Sequence, residues 1–179
     1  MGGTLYSASA HTTRSVSRGY MDTSVSNDAI FTQNKERRAH KSMLPEGVTS
    51  REARDSDVHP NTVPIIIALD VTGSMGRIPR QMIAEGFPHI VETLMQNGVE
   101  DASICFVAIG DHECDSFPLQ IGQFESGDSE LDMWLTRTYL EGGGGGNQGE
   151  SYLAAWLFGA KSVETDAWDK RNEKGFLFT

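Results

Sequence analysis

The sequence predicts an α/β protein built on an open, mostly parallel, doubly wound sheet. Two apolar runs and the pattern between them carry that expectation. Val63 to Asp70 reads VPIIIALD, and Ala102 to Gly110 reads ASICFVAIG. Runs with no polar alternation belong to strands covered on both faces, as at the centre of a parallel sheet. Between them Ile78, Met82, Ile83, Phe87, Ile90, Val91 and Leu94 recur at helical spacing, which supplies the crossover that parallel neighbours need.

In chain order, residues 1–60 are rich in Ser, Thr and Arg with little apolar periodicity. They read as an extended or disordered arm or linker. The alternative is an arm packed on its own domain or a neighbour, anchored by Ile30, Phe31, Met43 and Leu44. The mixed-charge stretch REARDSDVHP marks the boundary, and residues 61–179 form the domain proper. Pro79 suits the first turn of the crossover helix, Pro88 kinks or divides it, and Asn97-Gly98 stops it. After the second strand, FPLQIGQF alternates as a half-buried strand and makes a hairpin with it. A helix is expected around Ser129 to Leu140, with Asp128 as its cap and Leu131, Trp134, Leu135 and Thr138 facing in. Gly142 to Gly146 precede another helix near Glu150 to Ala160, carrying Leu153, Trp156 and Leu157, and GFLFT starts a further strand.

Charge narrows the function classes. Residues 1–60 hold eight Lys and Arg against seven acids, a net +1, so of the chain's −10 the rest carries −11. Such a body repels phosphate backbones and suits a cation better than nucleic acid. No apolar stretch has membrane-helix length and the N-terminus lacks a signal core, so no membrane partner is expected. MGGTLY departs from a myristoylation signal at Tyr6. Two cysteines make no disulfide framework, and the expected location is the reducing cytoplasm.

The chemistry concentrates after the first strand, in Asp70-Val71-Thr72-Gly73-Ser74. A turn leaving a strand can aim residues 70, 72 and 74 at one point, offering a carboxylate and two hydroxyls to a hard cation. Gly73 allows the sharp path and the following helix adds amide dipoles. Asp111 directly follows the second strand, so both acids belong to the rim where open α/β sheets bind ligands. Alternatively, Thr72 or Ser74 merely caps the helix.

PIIIALDVTGSM resembles the first motif of the metal-ion-dependent adhesion site in von Willebrand factor type A domains, with Thr72 standing for a Ser of the Asp-x-Ser-x-Ser pattern. The resemblance runs over about residues 63–179 and is nearest to members with DxTGSM, an acid after the second strand and a GGG-rich loop. It implies a Rossmann-like fold and a site for Mg²⁺, or Mn²⁺ or Ca²⁺, held by Asp70, Thr72 and Ser74. EGGGGGNQGE offers Asn147 where the family places a Thr or Asp, and Asp111 partly compensates the lost charge. The family's remaining Asp follows a fourth strand, where FLFT stops. The C-terminal part of the fold is therefore expected to be missing, the chain being a fragment or borrowing that part from another chain.

The resemblance implies a non-enzymatic, metal-dependent adhesion or scaffold module whose ion bridges to an Asp or Glu on a partner protein. The alternative is an assembly protein with a degenerate fold that binds no metal, with self-assembly as its partner mode. A Mg²⁺-dependent phosphohydrolase of the DxDxT type ranks lower, because Thr72 stands where the proton donor is needed. Zinc at Asp111-His112-Glu113-Cys114-Asp115 needs ligands from elsewhere, and a solvated acidic hairpin is the plainer reading.

Overall fold

A computed structural model describes residues 5–142 and 151–179. The strands are β1 (Arg51–Ala53), β2 (Val63–Asp70), β3 (Ala102–Ile109), β4 (Leu119–Ile121), β5 (Val163–Thr165) and β6 (Phe176–Phe178). The helices are α1 (Ala8–Ser17), α2 (Asn27–Ile30), α3 (Ile78–Gln81), α4 (Phe87–Gln96), α5 (Asp128–Thr136), α6 (Tyr152–Lys161) and α7 (Asp166–Arg171). The main sheet has the order β4-β3-β2-β6, with β2 parallel to β3 and β6 and with β4 antiparallel to β3. β1 and β5 make a separate parallel pair. The protein is thus α/β with an open, mixed sheet, and the expected hairpin is present.

Both apolar runs are central strands because each must fill two faces. Ile65 and Ile67 join Phe87, Val91, Phe106, Leu131 and Leu135 on one side. Ile66 and Ala68 join Cys105, Val107, Ile109, Ala155 and Phe158 on the other. β2 and β3 pair along their whole length, Val63 with Ala102 through Asp70 with Ile109. Burial pushes the Cys105 thiol up to about 12, so it behaves as a small core hydrophobe. At the start of β6 the backbone passes so close to β2 that a Cβ on Gly175 would meet the Pro64 carbonyl at 2.6 Å. Among the described residues no helix is long and apolar enough to cross a membrane.

The crossover helix is divided, as the prolines predict. A π turn, Met82–Gly86, separates α3 from α4, with Pro88 in the first turn of α4. Proline has no N–H and its ring crowds the carbonyl four residues back, so widening the turn relieves the clash. The Phe87 N–H goes to Met82 O. Pro88 offers nothing to the Ile83 carbonyl, and the buried His11 ring fills that place, its Nε2 2.7 Å from Ile83 O. A carbonyl only accepts, so Nε2 carries the proton.

That contact corrects the expectation of an extended or disordered arm. Within residues 1–60, the described part folds onto the domain, in the packed form given above as the alternative. Ile30, Phe31 and Met43 are buried, Leu44 half-buried, and Tyr20 joins the core. Apolar periodicity is weak there because single anchors, rather than a helical stripe, hold the arm. Polar ties do the rest. Arg14 pairs with Asp128 at 2.6 Å and Arg18 with Asp132 at 2.7 Å. Arg80 donates to four carbonyls of the 19–25 loop, those of Gly19, Tyr20, Asp22 and Val25. Arg54 binds Asp166, Asp169 and Glu164. Asp128 accordingly is not the cap of α5. Gly127 holds that position without a side-chain bond, and Asp128 serves Arg14 and the Ser7 amide instead.

Candidate metal centre

Asp70 ends β2, and the ladder to β3 closes one residue later, where the Val71 N–H donates to Ile109 O at 2.9 Å. Thr72 is extended and Gly73–Met75 make a single 3-10 turn. The sharp path falls at Gly76, with φ +52°, and not at Gly73. The next helix begins only at Ile78, so the amides nearest Ser74 belong to the 3-10 turn and not to a helix terminus.

The turn brings the three predicted side chains into successive contact. Asp70 Oδ1 accepts from Thr72 N and from Thr72 Oγ1, each at 2.7 Å. Thr72 Oγ1 lies 3.0 Å from Ser74 Oγ. Asp70 and Thr72 are buried, and Ser74 is exposed. Among the described residues nothing donates to Asp70 Oδ2. Ligand oxygens about 2.05 Å from a cation at octahedral angles stand about 2.9 Å apart. The two spacings here are close to that edge, and one carboxylate with two hydroxyls is the kind of donor set a hard cation takes. The same distances make an Asx turn that satisfies Asp70 Oδ1 without any ion.

Asp111 lies on the same rim, two residues beyond the Asp70 partner Ile109. It is fully buried and organises its own loop: Oδ1 accepts from Glu113 N at 2.9 Å, and Asp111 N donates to Asp115 Oδ2 at 2.8 Å. Two residues that the sequence reading did not single out hold this loop from outside. Glu141 accepts from the amides of Ser116 and Phe117, each at 3.0 Å, and Ser151 takes the His112 amide at 3.0 Å and donates its own N–H to Gly110 O. Their separation in sequence hides the role, since no spacing rule joins residue 141 or 151 to 110–117. Asn147 and Glu150 lie outside the described residues.

The possible zinc ligands do not converge on one point, although Cys114 bonds the Asp111 carboxyl. His112 turns to Ser151, Asp115 turns back to the Asp111 amide, and Cys114 is exposed. Desolvation and then Asp111, Glu113 and Asp115 raise the Cys114 thiol, which therefore stays protonated at neutral pH. Among the described residues no group of three or more His, Cys, Asp or Glu is placed to hold a metal. An oxygen site of one acid and two hydroxyls is a different donor set. No family model matches the chain, and neither the curated proteins nor the solved structures yield a match.

Proposed function

We propose that the chain is a divalent-metal-dependent protein-binding module of the von Willebrand factor type A kind, with a Rossmann-like sheet. Asp70, Thr72 and Ser74 would hold Mg²⁺, or Mn²⁺ or Ca²⁺, and Asp111 and Asn147 belong to the proposed site. The carrying observation is the run of oxygen contacts, 2.7 Å and then 3.0 Å, leaving the central strand. Counted within the main sheet, its strands run 3-2-1-4, and the order reverses beside β2. Ligands of doubly wound sheets bind beyond the strand ends at such a reversal, where Asp70 lies. A bound cation supplies a positive centre that an Asp or Glu of a partner protein can complete. Both cysteines are free, which suits the proposed cytoplasmic setting.

Thermal melts of the wild type and Asp70→Asn with Mg²⁺ or Mn²⁺ test this. A ligand bound only by the folded state at ~100 times its Kd adds about 2.7 kcal/mol. That corresponds to a Tm rise of roughly 5–10 °C for a chain of this size, and the variant should lose it. Flat melts up to ~10 mM would end the reading. They would favour the second one, an assembly scaffold that binds no metal, which the ion-free satisfaction of Asp70 Oδ1 supports.

A further inference from the structure

Positive charge is unevenly committed over the surface. Arg14, Arg18, Arg54, Lys170 and Arg171 are paired with acids, whereas Lys35, Arg37, Arg38, Lys41 and Arg137 have no ion pair among the described residues. Residues 33–42 hold four of these free cations against Glu36 alone, a local +3 on a chain of −10. All four are exposed. The backbone beneath them is fixed, with Ala39 and Met43 buried. The Thr32 N–H donates to Thr136 O at 2.8 Å, and Asn34 Oδ1 accepts from Leu140 N at 2.9 Å. Farther on, Ser42 O and Ile121 O share Arg51 Nη2. The segment thus runs from the end of α5 to β4, the sheet edge opposite β6.

Beside it a cleft of about 270 Å³ opens between α1 and α5, lined by Arg14, Arg18, Thr32, Ser129, Asp132 and Arg137. Asp128 answers Arg14 and Asp132 answers Arg18. Arg137 therefore leaves the cleft positive. Its guanidinium lies 4.9 Å from the centre of the Trp134 ring, with Nη2 3.2 Å from Met133 Sδ. Nε and Nη1 donate to nothing among the described residues. A stacked guanidinium is held in place before any ligand arrives, so little freedom is lost on binding. Cleft and segment form one positive field: desolvation, and then the charges of Arg137 and Lys41, lower the His40 pKa.

We infer that this strip binds an acidic segment of a partner protein, with one carboxylate seated in the cleft on Arg137 and further ones on Lys41, Arg37 and Arg38. Two observations select that ligand. First, the free cations lie around one small cleft and along one short stretch of chain, which suits carboxylates spaced along an extended peptide. Second, residues 61–179 carry −11. A nucleic-acid duplex, with a charge about every 1.7 Å, would press its phosphates against that body, whereas a short peptide touches the strip alone. Because the chain as a whole repels such a peptide, binding reports the local field. The surface is independent of the metal reading, since no residue of the Asp70 turn takes part.

The test is fluorescence anisotropy of a labelled octaglutamate peptide with the 179-residue chain, in EDTA so that no metal bridges the two. The wild type should bind it, and binding should weaken several-fold between about 50 and 300 mM salt, because exposed charge pairs are screened. Arg137→Gln should weaken it at least fivefold, and so should Arg37→Asn combined with Arg38→Gln. Asn tolerates the φ of +50° that Arg37 holds, so the second variant loses charge without backbone strain. Lys161→Gln, an equal loss of charge at the exposed end of α6, should leave binding unchanged. Circular dichroism establishes that each variant is folded, and the exposed pair at 37 and 38 decides the matter if Arg137→Gln is not. A peptide that fails to bind at about 1 mM would overturn the proposal. So would unchanged binding in a folded strip variant, an equal loss in Lys161→Gln, or tighter binding of an oligonucleotide of the same charge.

Discussion

The Ile83 carbonyl makes the arm's hold on the domain measurable. In His11→Phe the ring keeps its place beside Tyr6 and Phe87, whose centroids lie 6.0 and 6.1 Å away, but the donor to Ile83 O is gone. Neither Phe87, whose N–H serves Met82 O, nor Pro88 can replace it. Leaving a buried carbonyl unpaired costs about 1–3 kcal/mol. The wild-type ring also buries an unpartnered Nδ1, which Phe removes, so part of the loss is returned. The net cost is then about 1–2 kcal/mol, or roughly a 2–8 °C fall in Tm. Pro88→Ala restores an N–H beside the turn, whether the helix keeps its π register or tightens to α. In that background His11→Phe should cost almost nothing, giving a coupling of about 1–2 kcal/mol in a double-mutant cycle followed by urea denaturation. Equal costs in both backgrounds would refute the idea that the carbonyl lacks a backbone donor.

Other consequences can be checked in the same way. Arg80→Met should cost about 3–5 kcal/mol by chemical denaturation, because its guanidinium is the shared donor to four carbonyls and is only 7% exposed. Arg80→Lys should recover part of that, since an ammonium has fewer and less spread donors. The Lys170 ammonium, the Asp55 amide and Arg54 hold the Asp166 carboxyl down to about 2 from 3.8. A depressed folded value means stability that is present above pH 4 and lost as pH falls toward 2. Acid titration of Asp166→Asn should therefore be flatter in that window than wild type. Removing residues 1–60 should abolish the cooperative melt and raise dye binding, because Ile65, Phe87 and Leu135 share a cluster with Tyr20, Ile30 and Phe31. A sharp melt in the truncated protein would refute that.

The two central strands were plain from composition, since VPIIIALD and ASICFVAI allow only burial on both faces. The rim position of Asp70 and Asp111 followed from where those runs end. Thr72 meets Asp70 and Ser74 meets Thr72, which the alternate spacing of the turn allows. What was missed depends on distance along the chain. Arg14, Arg18 and Arg54 look like soluble charge in an arm, and only their acids at 128, 132 and 166 reveal ties. Gly73 suits a bend because it sits inside the motif, whereas the positive φ falls at Gly76 after the 3-10 turn. Leu153, Trp156 and Leu157 have the spacing of a core stripe, yet α6 turns Ala155, Phe158 and Gly159 toward the sheet. Ala155 is buried and Gly159 lets the helix approach Ile66 and Leu177.

The long-range ties of the first helix also set an order of events during synthesis. Arg14 finds Asp128 across 114 residues, and Arg54 finds Asp166 across 112. At roughly 5–20 residues per second, α1 is synthesised about 6–23 s before its counterpart. For much of that interval Tyr20, Ile30 and Phe31 wait for the rest of their cluster, which runs on from Ile65 to Leu135. The chain is born with its clasp ahead of its body, and a nascent-chain chaperone has its longest opportunity at those three side chains.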